Sequence, residues 1–204
     1  MRVSVITPSS GNEACLELCQ QLVQEQTIQV HEHNYVASAN WQANVTVLLE
    51  ACEGDFIALW DDDDWYDPRY LETCLSLMTE DIKVVGQSVR RWYHLGKRAY
   101  NNDRESGPLP GTFMFHRSLI EPLQRAMAQG VAYKDFFWQH QGYDGPRYKL
   151  ATDFIVQMKG TPGKRISVKH EYTKDRFPNL DRDAETLQRW VGKDWAKKFL
   201  ELVE

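Results

Sequence analysis

Four consecutive aspartates, Asp61-Asp62-Asp63-Asp64, follow directly on the apolar run Phe56-Ile57-Ala58-Leu59-Trp60. Carboxylates held this close repel one another, by roughly 1–4 kcal/mol per pair at about 4 Å even with good screening. Something must compensate. A hard divalent cation with oxygen ligands, Mg2+ or Mn2+, is the natural partner, above all where it also bridges two phosphates. The plainer alternative is a solvated acidic turn, although aspartates in turns rarely follow so apolar a strand. Charge along the chain is unevenly placed. Residues 1–80 hold 14 Asp/Glu against 2 Lys/Arg, and residues 81–204 hold 15 against 22. The front half is suited to a cation and the back half to anions.

Positioning these carboxylates requires a frame, and the order of elements supplies one. Val3-Ser4-Val5-Ile6 reads as a strand ending at the polar turn Thr7–Asn12. The helix after it places Cys15, Leu18, Cys19, Leu22 and Val23 on one face. Thr27–His31 reads as a second strand, Ser38–Cys52 as a second helix and Asp55–Trp60 as a third strand running into the aspartates. Further on come a helix over Arg69–Thr79, a strand over Lys83–Gly86 and an irregular loop or hairpin over Arg90–Gly111. Thr112–Phe115 then reads as a strand, Leu119–Gln129 as a helix, Phe136–Trp138 as the start of another element, and Ala184 onward as an amphipathic helix. Alternating strands and helices predict an α/β fold, with a Rossmann-like, mainly parallel central sheet flanked by helices. Ligands of such sheets sit beyond the carboxyl ends of the strands, so the Pro8–Asn12 loop and Asp61–Asp64 should share one edge.

The ordered set Val5-Ile6-Thr7-Pro8, Gln42-Ala43-Asn44, Ala51-Cys52-Glu53-Gly54-Asp55-Phe56-Ile57, Leu59–Asp64 and Trp65-Tyr66-Asp67-Pro68 resembles the family 2 glycosyltransferases, which share the GT-A fold. The resemblance covers roughly residues 3–140. It implies a nucleotide-sugar donor, with Thr7, Pro8 and Ser9 lining the nucleotide pocket and Asn44 close by. Asp61 or Asp62 would contact the donor ribose, and Asp63 would hold Mn2+ or Mg2+ on the diphosphate with Asp64 in support. It also implies a division into a GT-A domain over residues 1–160 and a C-terminal loop and helix over 161–204 that complete the site.

Transfer to an acceptor hydroxyl also requires a base. In the resemblance a Gly-Thr-x-apolar strand precedes an acidic pair. Here Gly111-Thr112-Phe113-Met114-Phe115 precedes Lys134-Asp135, so Asp135 is the candidate base, with Asp144 and Asp153 behind it. A single base and no evident nucleophile favour inversion at the sugar carbon. His170 stands where some relatives give a histidine to the metal or diphosphate. Around His31 and His33 the family's base-reading aspartate is missing, and only Glu32 offers a carboxylate.

Two basic stretches, 84–102 and 159–182, interleave cations with aromatics and could serve nucleic acid or the donor diphosphate. The acceptor is accordingly a saccharide or lipid-linked glycan, or a hydroxylated base in DNA. The terminal helix carries Leu187, Trp190, Trp195 and Phe199 beside lysines, which suits docking on its own domain or contact with a membrane surface. No run approaches the roughly 20 apolar residues of a spanning helix. The four cysteines lack Cys-x-x-Cys spacing and read as buried free thiols in a reducing, cytoplasmic setting. Two rival classes use the same aspartates: a metal-dependent phosphoryl transferase or nuclease, and a non-catalytic metal- or carbohydrate-binding module. The first lacks a phosphate loop, and the second leaves Asp135 without a role.

Overall fold

The computed structural model describes the chain except Ser10, Ala39, Val89, Thr152 and residues 104–112, 139–141 and 162–170. The central sheet takes the spatial order β2 (Glu32–Ala37), β1 (Val3–Ser9), β3 (Phe56–Leu59), β8 (Phe113–His116), β5 (Val84–Gln87), β9 (Arg147–Leu150). Strand β8 runs antiparallel to both neighbours, while the β1–β2, β1–β3 and β5–β9 pairs are parallel. The mainly parallel α/β architecture expected from the sequence is present.

Strand β1 is buried along its whole length, as a strand covered on both faces must be. Helix α1 (Glu13–Gln24) starts where Asn12 caps the Cys15 amide, and it buries the five residues its spacing marked, Cys15, Leu18, Cys19, Leu22 and Val23. Helix α2 (Trp41–Ala51) is capped by Asn40 on Ala43 and buries Asn44, Val45, Leu48 and Leu49. Helix α3 (Tyr70–Leu77) buries Tyr70, Leu71 and Cys74. Helices α4 (Ile120–Ala128) and α5 (Tyr133–Trp138) cover β8, with Phe137 4.5 Å from Phe113 and 4.8 Å from Phe115 between ring centroids.

A second sheet carries what the sequence left unassigned. Its order is β11 (Asn179–Leu180), β7 (Ala99–Asp103), β6 (Arg90–His94), β10 (Ile155–Lys159), β4 (Trp65–Tyr66). The hairpin expected after Arg90 exists as β6–β7, and the rest of that stretch lies outside the described residues. Strand β4 begins one residue after the aspartates and pairs antiparallel with β10. The acidic loop is therefore the joint between the two sheets.

Two expectations are corrected. The second strand is Glu32–Ala37 rather than Thr27–His31: Ile28 and Val30 do pack on the core, but through a bent connection. The terminal helix is two, α6 (Glu185–Val191) and α7 (Lys193–Glu201), broken at Gly192, whose φ of +84° suits glycine. Ala196 and Phe199 of α7 are buried in the main core, and Trp195 Nε1 donates to Glu25 and Lys198 to Gln21 on or beside α1. The apolar face a membrane would need is occupied by the domain. Among the described residues no helix is long and apolar enough to cross a membrane, and the four cysteines are free and buried.

Candidate active site

The carboxyl edge of β1 and β3 gathers most of the residues singled out in the sequence. Of the four aspartates only Asp61 is more than marginally exposed; Asp62, Asp63 and Asp64 are 1%, 5% and 1% exposed. Each is held by a different element. Asp62 accepts from Ser9 Oγ at 2.8 Å, and that same oxygen accepts from the Gly11 amide, which locks the end of β1 to the acidic loop. Asp63 accepts from Thr161 Oγ1 at 3.4 Å. Asp64 turns away to β10, where it accepts from the Met158 amide at 3.0 Å and Gln157 Nε2 at 3.3 Å, with Lys159 Nζ 3.8 Å off.

Aromatic side chains fix the loop. The Asp61 amide donates to Tyr66 Oη at 2.8 Å, and the Tyr66 ring stacks on Trp60 at 3.7 Å between centroids. Burial, reinforced by the charges of Asp61 and Asp64, holds the Tyr66 phenol far above its ordinary pKa. It is a neutral donor and acceptor at any working pH.

Thr7 and Ser9 are fully buried. Thr7 Oγ1 lies 2.9 Å from His33 Nε2 and 3.7 Å from Cys19 Sγ, so its hydroxyl is anchored inward. Burial drops the His33 pKa to about 4, so the ring is neutral at pH 7. Pro8 lies between Thr7 and Ser9, paired with Val36. Asn44, 1% exposed, accepts from Ser38 Oγ and donates to Ser38 O, tying down the loop between β2 and α2 beside that edge.

Asp135 lies on α5, half-buried. Two residues before it on the same helix, the buried Tyr133 hydroxyl accepts from Trp41 Nε1 at 3.0 Å. Burial raises the Tyr133 pKa first, and the charges of Asp61 and Asp135 both raise it further. One buried phenol thus lies within electrostatic reach of the acidic loop and of the candidate base. Asp153 is ion-paired with Arg91, and Asp144 is exposed on the chain leading to β9.

Glu32 is not brought to this edge. In register it sits opposite Ser4, near the amino end of β1, and its carboxylate accepts from Ser4 Oγ and the Glu53 amide. Its role is to hold the β2–α2 side of the sheet to the chain before β3, a correction forced by the displaced strand. His170 lies outside the described residues.

Among the described residues no group of three or more His, Cys, Asp or Glu converges into a metal cage. Carboxylates at 61 and 63 are hard oxygen ligands, and an Mg2+-like ion usually takes one or two such groups and completes its shell with phosphate oxygens and water. The donor set fits that mode. Tyr66, Tyr133, Gln157, Lys159 and Thr161 were not marked in the sequence. Lys159 and Thr161 lay in or beside a basic stretch that looked like solvated surface, and their carboxylate partners are distant in the chain.

A family model described as Glycosyl transferase family 2 matches residues 5–133. The chain belongs to glycosyltransferase family 2. This family 2 chain is also similar to solved structures. S. aureus TarS 1–349 in complex with UDP-GlcNAc is 14% identical with a TM-score of 0.56, over 85% of this chain and 62% of that one. The mannosyltransferase PcManGT from Pyrobaculum calidifontis, in complex with GDP-Man and Mn2+, is 13% identical with a TM-score of 0.53, over 79% and 57%. A197 from STIV is 19% identical with a TM-score of 0.51, over 74% and 82%. At such identities the likeness shows the fold, which is GT-A. The family 2 chain spans about three fifths of the TarS fragment. No curated protein sequence matches it.

Proposed function

We propose that the protein is an inverting glycosyltransferase that moves a sugar from a nucleoside-diphosphate donor to an acceptor hydroxyl. The observation that carries this reading is the acidic loop at the carboxyl edge of β1 and β3, with Asp62 held by Ser9 and Asp63 by Thr161. Thr7, Pro8, Ser9 and Asn44 line the nucleotide side, and Asp61 or Asp62 contacts the ribose. Asp63 holds Mn2+ or Mg2+, with Asp64 bracing the loop from behind. When bound, the ion neutralises charge on the departing diphosphate. Asp135 takes the proton of the acceptor hydroxyl as its oxygen bonds to the anomeric carbon, and the bond from that carbon to the diphosphate oxygen breaks on the opposite face. Residues 1–160 form the donor domain, and 161–204 complete it, with Thr161 on Asp63 as the visible link.

A glycan acceptor is favoured over duplex DNA. Arg91 is paired with Asp153 and packed 5.0 Å from the Trp190 ring centroid. Arg98 reaches Arg182 O and Glu204. Arg91, mostly buried against Asp153 and Trp190, is poorly placed to track a phosphate backbone. The test is product analysis with a panel of nucleotide sugars, Mn2+ and saccharide acceptors, reading the anomeric configuration by NMR. An inverted product supports the reading; a retained anomer defeats the role of Asp135, and steeply salt-dependent duplex binding would reinstate DNA.

A further inference from the structure

The fourth aspartate poses a question that donor binding leaves open. Asp64 is 1% exposed and engages the main chain of β10 rather than the open edge. The pairing of β4 with β10 runs Tyr66 to Ile155 and Trp65 to Val156. One step further the main-chain ladder stops, and the Asp64 carboxylate takes its place, accepting from the Met158 amide and from Gln157 Nε2. Gln157 is itself oriented, because its Oε1 accepts from Trp92 Nε1 at 2.6 Å. Lys159 Nζ, on a side chain 9% exposed, stands 3.8 Å from Asp64 Oδ1. The end of β10 is fixed in turn. Gly160 has φ +76°, and a Cβ there would lie 2.4 Å from His94 Cε1, so the His94 ring sits directly against the turn leading to Thr161, which donates to Asp63.

We propose that Lys159 is a positioning residue: as the buried counter-cation of Asp64 it clamps the acidic loop to β10, so that Asp63 and Asp61 face the donor diphosphate. This rests on the donor reading given above. A buried carboxylate that loses a neighbouring cation is driven toward water. Without Lys159, Asp64 would leave the ladder and swing the loop, moving Asp63 with it. Lys159 need never touch the ligand.

The experiment uses the full chain and titrates Mn2+ with uridine or guanosine diphosphate by calorimetry, alongside urea unfolding without metal. Lys159→Met should weaken Mn2+–nucleotide binding by about 10–100-fold, the scale on which supporting partners of metal ligands act. Lys159→Arg, which keeps a cation beside Asp64, should hold the affinity within a few-fold of wild type. A purely structural role would shift urea stability while leaving the Mn2+ titration of the folded variant unchanged, and that result overturns the proposal. A Lys159→Arg variant that folds but binds as weakly as Lys159→Met also overturns it, because a cation beside Asp64 would then not be what holds the loop. If Lys159→Met does not fold, Lys159→Gln, which keeps a hydrogen-bond donor without the charge, decides in the same way. Wild-type protein that binds neither nucleotide with Mn2+ overturns the donor reading itself, an outcome distinct from wild-type binding with indifferent variants.

Discussion

Acidification should destabilise this protein through one histidine behind the nucleotide edge. His33 lies against Thr7 and Cys19 on β2, and burial drops its pKa from 6.5 to about 4. In the unfolded chain the ring takes up a proton near pH 6.5, and in the folded chain only near pH 4. Between those values the unfolded state binds a proton that the folded state refuses, so stability falls as pH drops from about 6.5 and levels off near 4. A gap from 6.5 to about 4, at about 1.4 kcal/mol per pH unit, comes to about 3 kcal/mol, an upper figure for a ring that retains some solvent contact. That is a large share of the roughly 5–15 kcal/mol of a typical domain. The assay is urea unfolding at pH 7, 6, 5 and 4 for wild type and His33→Asn. Comparing the two cancels Glu32 and Asp55, whose lowered pKa values also cost stability in acid. The wild type should lose about 3 kcal/mol more than the variant between pH 7 and 4. Equal losses would refute the reasoning.

Gly160→Ala should cost about 1–3 kcal/mol in urea unfolding, since it adds a Cβ at positive φ against the His94 ring, and His94→Ala should recover part of the loss. Phe199→Ala empties a site 1% exposed in the main core and should cost about 3–5 kcal/mol; an unchanged midpoint would contradict docking of α7 on the domain. Asp135→Asn should lower kcat by about 10²–10⁴-fold with little change in donor KM, measured by nucleoside diphosphate release. An unchanged kcat would shift the base assignment to another carboxylate.

What the sequence disclosed and what it hid divide along physical lines. Helices α1 and α2 were legible because their apolar faces recur at three and four residues and each begins at an asparagine cap. Strand β3 was legible as a buried apolar run. Strand β2 was misplaced by about five residues because Ile28 and Val30 alternate like a strand, whereas Glu32–Ala37 is a polar edge strand whose pairing with β1 is decided by tertiary contact. That error carried Glu32 into the donor site. The second sheet was nearly invisible: β10 lies in a stretch without clear periodicity and is buried through contacts with β4 and β6. The partners of the aspartates were hidden for the same reason. Ser9 meets the loop through the central sheet and Lys159 and Thr161 through the second, and no spacing rule spans such separations.

The central claim is that the acidic loop binds a donor diphosphate through a metal on Asp63. Its most direct test is nucleoside diphosphate release from a panel of nucleotide sugars, titrated with Mn2+, for wild type and Asp63→Ala. The account predicts Mn2+-dependent release by the wild type with at least one donor and its collapse in the variant. Release that persists undiminished in Asp63→Ala, or that ignores Mn2+ altogether, would contradict it.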